Sequence, residues 1–221
     1  MRPPLQPRSD RTASRFLAAL VALAVSGLAA LAAPEPIRPE VRGLLGRVRI
    51  SRPGGPALPL KAGSPVAVGD TIQTERGAAV DLYLGDQAGT VRVTELSTLV
   101  IEEAVLKDPA SGSFEVKLAL KSGELLGRVM PQSLGSRFQV ATPAGIGAVA
   151  DGQFRIDARG YFVLLDGKAI FVHAPGEAEP VAHSLKAPPA MYFSPRSGLQ
   201  TAPEELVREV AGQTRSKLPG R

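Results

Sequence analysis

Cysteine and tryptophan are absent from the 221 residues, tyrosine occurs 3 times and histidine twice. Without cysteine there is no disulfide, no thiol nucleophile, no cysteine-ligated zinc and no lipid-modified cysteine at an export cleavage site. A domain lacking such staples must hold through its core, which is ordinary for a domain of about 150 to 190 residues that buries roughly two-thirds of its surface. Without tryptophan and with few tyrosines there is no aromatic platform on which a sugar ring could stack. The two histidines, His173 and His183, flank Glu177 and Glu179, and a metal site would need one of those acids beside both rings.

Catalytic strings are missing too. No G-x-S-x-G elbow occurs, and Ser133-Leu134-Gly135-Ser136 reads as a loop. Neither G-x-G-x-x-G nor a phosphate loop is found. Glu102-Glu103 and Glu204-Glu205 are adjacent pairs, and neighbours on a strand point to opposite faces, so Glu102 and Glu103 cannot flank one scissile bond. The expectation is a protein that is not an enzyme, with no catalytic residues, no cofactor and no metal.

Charge of either sign is nearly balanced once the N-terminus is set apart. The chain carries 26 basic and 21 acidic residues, and residues 1–33 hold 4 and 1 of them, which leaves 22 against 20, a net +2. So small a net charge argues against nucleic acid, which needs a clustered basic face. Arg2, Arg8, Arg11 and Arg15 precede the uncharged apolar run Phe16–Ala33, and Ala30-Leu31-Ala32 fits the small-x-small cleavage rule. Residues 1–33 therefore read as a signal peptide cut near Ala32. The competing reading is an uncleaved N-terminal membrane anchor, since the run lies at the roughly 18-residue lower limit for spanning a bilayer. Either way the body of the protein leaves the cytoplasm: periplasmic or secreted in the first case, anchored in the inner membrane and facing the periplasm in the second. Membrane contact is expected only through residues 16–33, and only if they stay uncleaved.

What is abundant is short alternation. GRVRI (46–50), TIQT (71–74), AVDLYL (79–84), TVRVT (90–94), TLVIE (98–102), EVKLALK (115–121), RFQVAT (137–142), QFRID (153–157), YFVLL (161–165) and KAIFV (168–172) are period-two runs rich in Val, Ile, Leu and Thr. Gly69-Asp70, Gly85-Asp86, Asp108-Pro109, Ala158-Arg159-Gly160 and Asp166-Gly167 supply turns between them. Ten such strands predict an all-β domain over 43–200, solenoid-like or a sandwich rather than a closed barrel. PEPIRPE within 34–42 reads as a proline-rich linker. TAPEELVREVAGQTRSK, within 201–221, predicts one short helix or a flexible basic tail, the helix having Thr201 as N-cap, Glu204 completing a capping box, and a stripe of Leu206, Val207, Val210 and Ala211.

Read in order, these segments resemble the FecR domain of exported bacterial proteins. The carriers are GLLGRVRI, the G-D-x-I-x-T string Gly69, Asp70, Thr71, Ile72, Gln73, Thr74, the Ser97-Thr98 corner in TVRVTELSTLVIEE, and ALKSGELLGRV. The most recognisable string, T-P, five residues, V-R-G-T-x-F, is met by Thr142, Pro143, Val149 and Phe154 without a gap, with Ala150-Asp151-Gly152 where the family has Arg-Gly-Thr. The resemblance implies a solenoid-like β domain. It also implies an envelope protein as partner, either for a stand-alone interaction or structural module or for an anchored component of a cell-surface signalling system. About 15 residues precede the apolar run, too few for the family's cytoplasmic anti-sigma domain. From the residues themselves, Thr142 to Phe154 reads as a buried crossing with Val140, Ile146, Val149 and Phe154 facing the core and glycines allowing close passage. The alternative is an exposed partner-binding loop.

Overall fold

The computed structural model describes residues 34–174 and 179–215. The expected signal or anchor segment, Glu177 and the last six residues lie outside them.

Period-two alternation becomes seventeen strands in one connected sheet that curls into a half-barrel. Its two flanks face each other. Flank A runs in the order β4 (Ala57–Pro59), β3 (Val48–Ser51), β5 (Thr71–Thr74), β8 (Thr98–Asp108), β9 (Ser113–Ser122), β11 (Arg137–Thr142), β12 (Gly145–Asp157), β14 (Gly167–His173), β15 (Val181–Ala187). The two-residue β1 (Glu35–Pro36) lies beside the far half of β8. Flank B runs β2 (Glu40–Leu45), β6 (Ala79–Tyr83), β7 (Thr90–Val93), β10 (Glu124–Val129), β12, β13 (Phe162–Leu164), β16 (Met191–Ser194), β17 (Gly198–Thr201). β12 belongs to both: Gly145–Asp151 pairs in flank A and Gly152–Asp157 in flank B.

The chain shuttles between flanks, and within each flank the strands stand in chain order, β1 and β4 excepted. That is the advance of a solenoid. The neighbours, however, are antiparallel except for β9 with β11, so hairpins rather than coils make the advance, and the packing is that of two facing flanks.

Alternation decides the core. β6 and β7 turn Val80, Leu82, Val91 and Val93 inward, and Ile72, Leu99 and Ile101 meet them from flank A in one apolar cluster. A file of rings runs through it: Phe138, Phe154, Phe162, Phe171 and Phe193, with successive centroids 6.0, 5.9, 5.7 and 4.9 Å apart. Offset and edge contacts of this kind add about 0.5–1.5 kcal/mol per pair beyond area burial.

Helix α1 (Glu204–Arg215) covers the outside of flank B. Leu206, Val207 and buried Val210 pack on Leu126, Val163 and Tyr192. Arg155 bridges Glu124 at 3.1 Å and helix residue Glu209 at 2.8 Å.

Three expectations are corrected. Thr201 does not cap the helix, because it ends β17 opposite Met191, and the first helical bond runs from the Val207 N–H to the Pro203 carbonyl. The proline-rich stretch is not a plain linker: β1 pairs with β8, the Ile37 N–H bonds to the Ala104 carbonyl, and Glu40 already starts β2. Ile146 points away from the core and is 43% exposed, while Val140, Val149 and Phe154 are buried. Gly145, Gly147 and Val149 are the inward residues of β12 there, and period two then forces Ile146 outward.

Candidate functional site

The motif residues assemble the framework. Gly69 takes φ +90° and its N–H bonds to the Ile101 carbonyl at 2.8 Å. Asp70 is buried, and its carboxylate accepts the Ala67 N–H at 2.9 Å, which closes the turn before β5. Thr71 opens β5 between Ser51 and Val100. Buried Thr74 donates through Oγ1 to the Thr94 carbonyl at 2.5 Å and accepts the Ser97 N–H at 2.9 Å. Ser97 Oγ in turn accepts the Glu124 N–H at 3.0 Å. One knot thus fixes the turns that follow β5, β7 and β9, and a side chain at Gly123 would run into Ser97.

Thr142 and Pro143 make the tight turn from β11 to β12, where Thr142 Oγ1 accepts the Ala144 N–H at 3.3 Å and donates to the Gly145 carbonyl at 3.0 Å. Ala150 is the bulge at which β12 changes flank. Gly152, at φ +103°, passes so close to the Asp166 carbonyl that no side chain fits. The motif positions on β5 and those on β12 are not brought into one cluster.

His173 ends β14 and His183 lies within β15, both half-buried. His173 Nδ1 lies 2.9 Å from the Ala144 carbonyl, and the His183 ring packs on Phe193 at 4.5 Å. Among the described residues no group of three or more His, Asp or Glu side chains could hold a metal ion.

The outer face of flank A has a different character. Register lines its side chains into three rows. The first runs Glu115, Arg137, then, across the bulge, Asp151, Lys168 and Lys186. The second is Glu103, Lys117, Gln139, Ala148, Ile170, Ser184. The third is Ala119, Ala141, Ile146, Val172, Ala182. An apolar band therefore lies beside a charged one that ends in Lys168 and Lys186, with Ile146 43% and Ile170 48% exposed.

Between the rows, β11 and β12 part company. Their ladder stops at Gln139 opposite Ala148, and the side chain of Gln132 takes the Val149 carbonyl at 2.6 Å. The gap is a groove of about 390 Å³ lined by Arg137, Ala148, Ala150, Lys168, Ile170 and Lys186 among others.

At the β8–β9 end of the face, Glu115 is ion-paired with Lys107, with Lys117 at 3.0 Å and with Arg137 at 3.1 Å, and its side chain is 8% exposed. The ammonium groups of Lys107 and Lys117 hold its carboxyl well below the usual range, at about 2. Lys168 and Lys186 have no ion-pair partner among the described residues. Sequence reading passed over this face because Arg137, Lys168 and Lys186 share one end of it only through strand register.

The chain was compared with protein-family models, curated proteins and solved structures, and none of them matches it. Among the described residues no helix is long and apolar enough to cross a membrane.

Proposed function

We propose that the chain is an exported, non-enzymatic module of the FecR-domain kind that docks a protein of the bacterial envelope on the outer face of flank A. Export rests on the basic start and apolar run of residues 1–33, and the FecR reading on the ordered strings around Gly69, Asp70, Thr74, Thr142, Pro143, Val149 and Phe154. The periplasm or the exterior is its place of action.

The observation that carries the docking surface is an asymmetry between two faces of one sheet. Outside flank B the apolar residues Leu126, Val163 and Tyr192 are sealed by α1. Outside flank A, Ile146 and Ile170 stay open to solvent beside small residues and an apolar-floored groove. Contiguous open apolar surface rimmed by polar groups marks interaction sites, and a sheet face held by ladders on both sides is rigid enough to bind without a large ordering cost.

The test is capture from envelope extract with wild type and with the double variant Ile146→Glu, Ile170→Glu. The expected result is a protein retained by wild type and lost from the variant, with both melting alike. Equal retention by both, or no specific retention by wild type, would overturn the proposal.

A further inference from the structure

The half-barrel has open edges of unequal quality. β4 is three residues long and ends in Pro59. β2 carries a bulge between Val41 and Gly43, and Glu40 is bridged to Pro65. β17 is four residues long and leads into α1. β1 is two residues long. β15 is different: seven residues, each in register with β14, no bulge and no proline. Among the described residues it pairs with β14 alone. Short, bulged or proline-bearing edges are the usual protection against strand addition. β15 lacks all three, and of the charges that also guard edges it carries only Lys186.

The edge also borders the face described above. Ala182, Ser184 and Lys186 are the β15 members of the apolar, mixed and charged rows. A strand laid against β15 would extend those rows by one residue each. The residue opposite Lys186 would lie beside that lysine, with Lys168 one strand further on, and neither ammonium group has an ion-pair partner among the described residues. The residue opposite Ala182 would extend the row of Ile146 and Val172.

We propose, resting on the docking face above, that the partner enters as an extended strand added antiparallel to β15, with an acidic side chain facing Lys186 and an apolar one facing Ala182, four residues later in the partner. Main-chain hydrogen bonds to the open edge supply affinity, and the alternate side chains supply choice. Antiparallel addition follows the pairing of β14 with β15 and is the more stable ladder. A second copy of this chain fits less well, because pairing β15 with itself about Ser184 sets Lys186 against Ala182 and leaves both copies' lysines unneutralised.

The test uses isotope-labelled protein and an acetylated, amidated heptapeptide of threonine with glutamate at its second position and isoleucine at its sixth. A second peptide has lysine in place of the glutamate. Amide shifts should be largest over Val181–Ala187, and the glutamate peptide should bind more tightly by about two- to five-fold, the range of one cross-strand charge pair. Lys186→Glu should reverse that order. Absence of binding at millimolar peptide, largest shifts away from β15, an unchanged order in Lys186→Glu, or wild type sedimenting as a dimer with its β15 amides already protected would each overturn strand addition. If capture is still lost in the Ile146→Glu, Ile170→Glu variant while peptide shifts at β15 are absent, the docking face stands and strand addition is discarded.

Discussion

Gly127 in β10 and Phe154 in β12 are cross-strand partners, and the phenyl ring lies over the glycine so closely that a Cβ at 127 would overlap it. The ring thereby reaches both Phe138 and Phe162 in the file that joins the two flanks. Phe154→Ala should destabilise by about 3–5 kcal/mol, the range for emptying a buried aromatic site. Gly127→Ala should also destabilise, because the ring must shift and break its contacts with both neighbours. Thermal or urea unfolding of the two variants beside wild type checks this, and wild-type stability in either removes the ring file from the account.

Gly147 tests the crossing of β12 by a different mechanism. Its φ is not positive, so backbone strain plays no part. A Cβ there would stand 3.2 Å from Ile156 Cδ1 and from Phe162 Cε2. Gly147→Val should therefore destabilise through crowding, by about 1–3 kcal/mol, and the nearest amide perturbations should fall on Ile156 and Phe162 across the core rather than on the turn at Pro143.

The knot at Thr74 makes a polar prediction. Thr74→Val keeps the shape but removes the donor to the Thr94 carbonyl and the acceptor of the Ser97 N–H. Leaving buried groups without partners costs about 1–3 kcal/mol. Equilibrium unfolding should show that loss, and Thr74→Ser, which keeps the hydroxyl, should recover most of it.

Glu115 gives the pH dependence. Lys107 and Lys117 lower its carboxyl from 4.5 to about 2 in the folded chain. A depressed carboxylate contributes stability that is fully present above its unfolded pKa and disappears as pH falls through the folded one. The contribution should thus be complete above about 4.5 and gone near 2. The three cations are 36 to 56% exposed, so solvent screens them and Glu115→Gln should lose only about 1 kcal/mol at neutral pH. Melts from pH 6 to 2 should show the gap between wild type and variant closing over that window, and a constant gap would refute the role given to Glu115.

Local pattern carried much of the fold. TIQT and RFQVAT match β5 and β11 residue for residue, because each has a clean alternation between clear turns. β8 and β12 run further than the pattern suggested, since bulges after Ile101 and Val149 break the period while the strand continues. The same short-range reading turned Ile146 inward, when the glycines on either side were the residues that needed the core. β15, VAHSLKA, carries two alanines, a serine and a lysine, and no short window marks it as a strand. It forms because β14 offers seven positions in register. The candidate site was illegible for a related reason: Ile146, Ile170 and Ala182 meet on one face only after β12, β14 and β15 have paired.

On the proposed reading a partner sits on the outer face of flank A, beside β15. Site-specific photocross-linking in the living envelope tests it most directly, with the cross-linker placed in turn at Ile170, Ala182, Arg76 and Arg196, all exposed positions. A protein adduct is expected from positions 170 and 182 and none from 76 and 196. Adducts of equal yield from all four positions, or from 76 and 196 but not from 170 and 182, would contradict it.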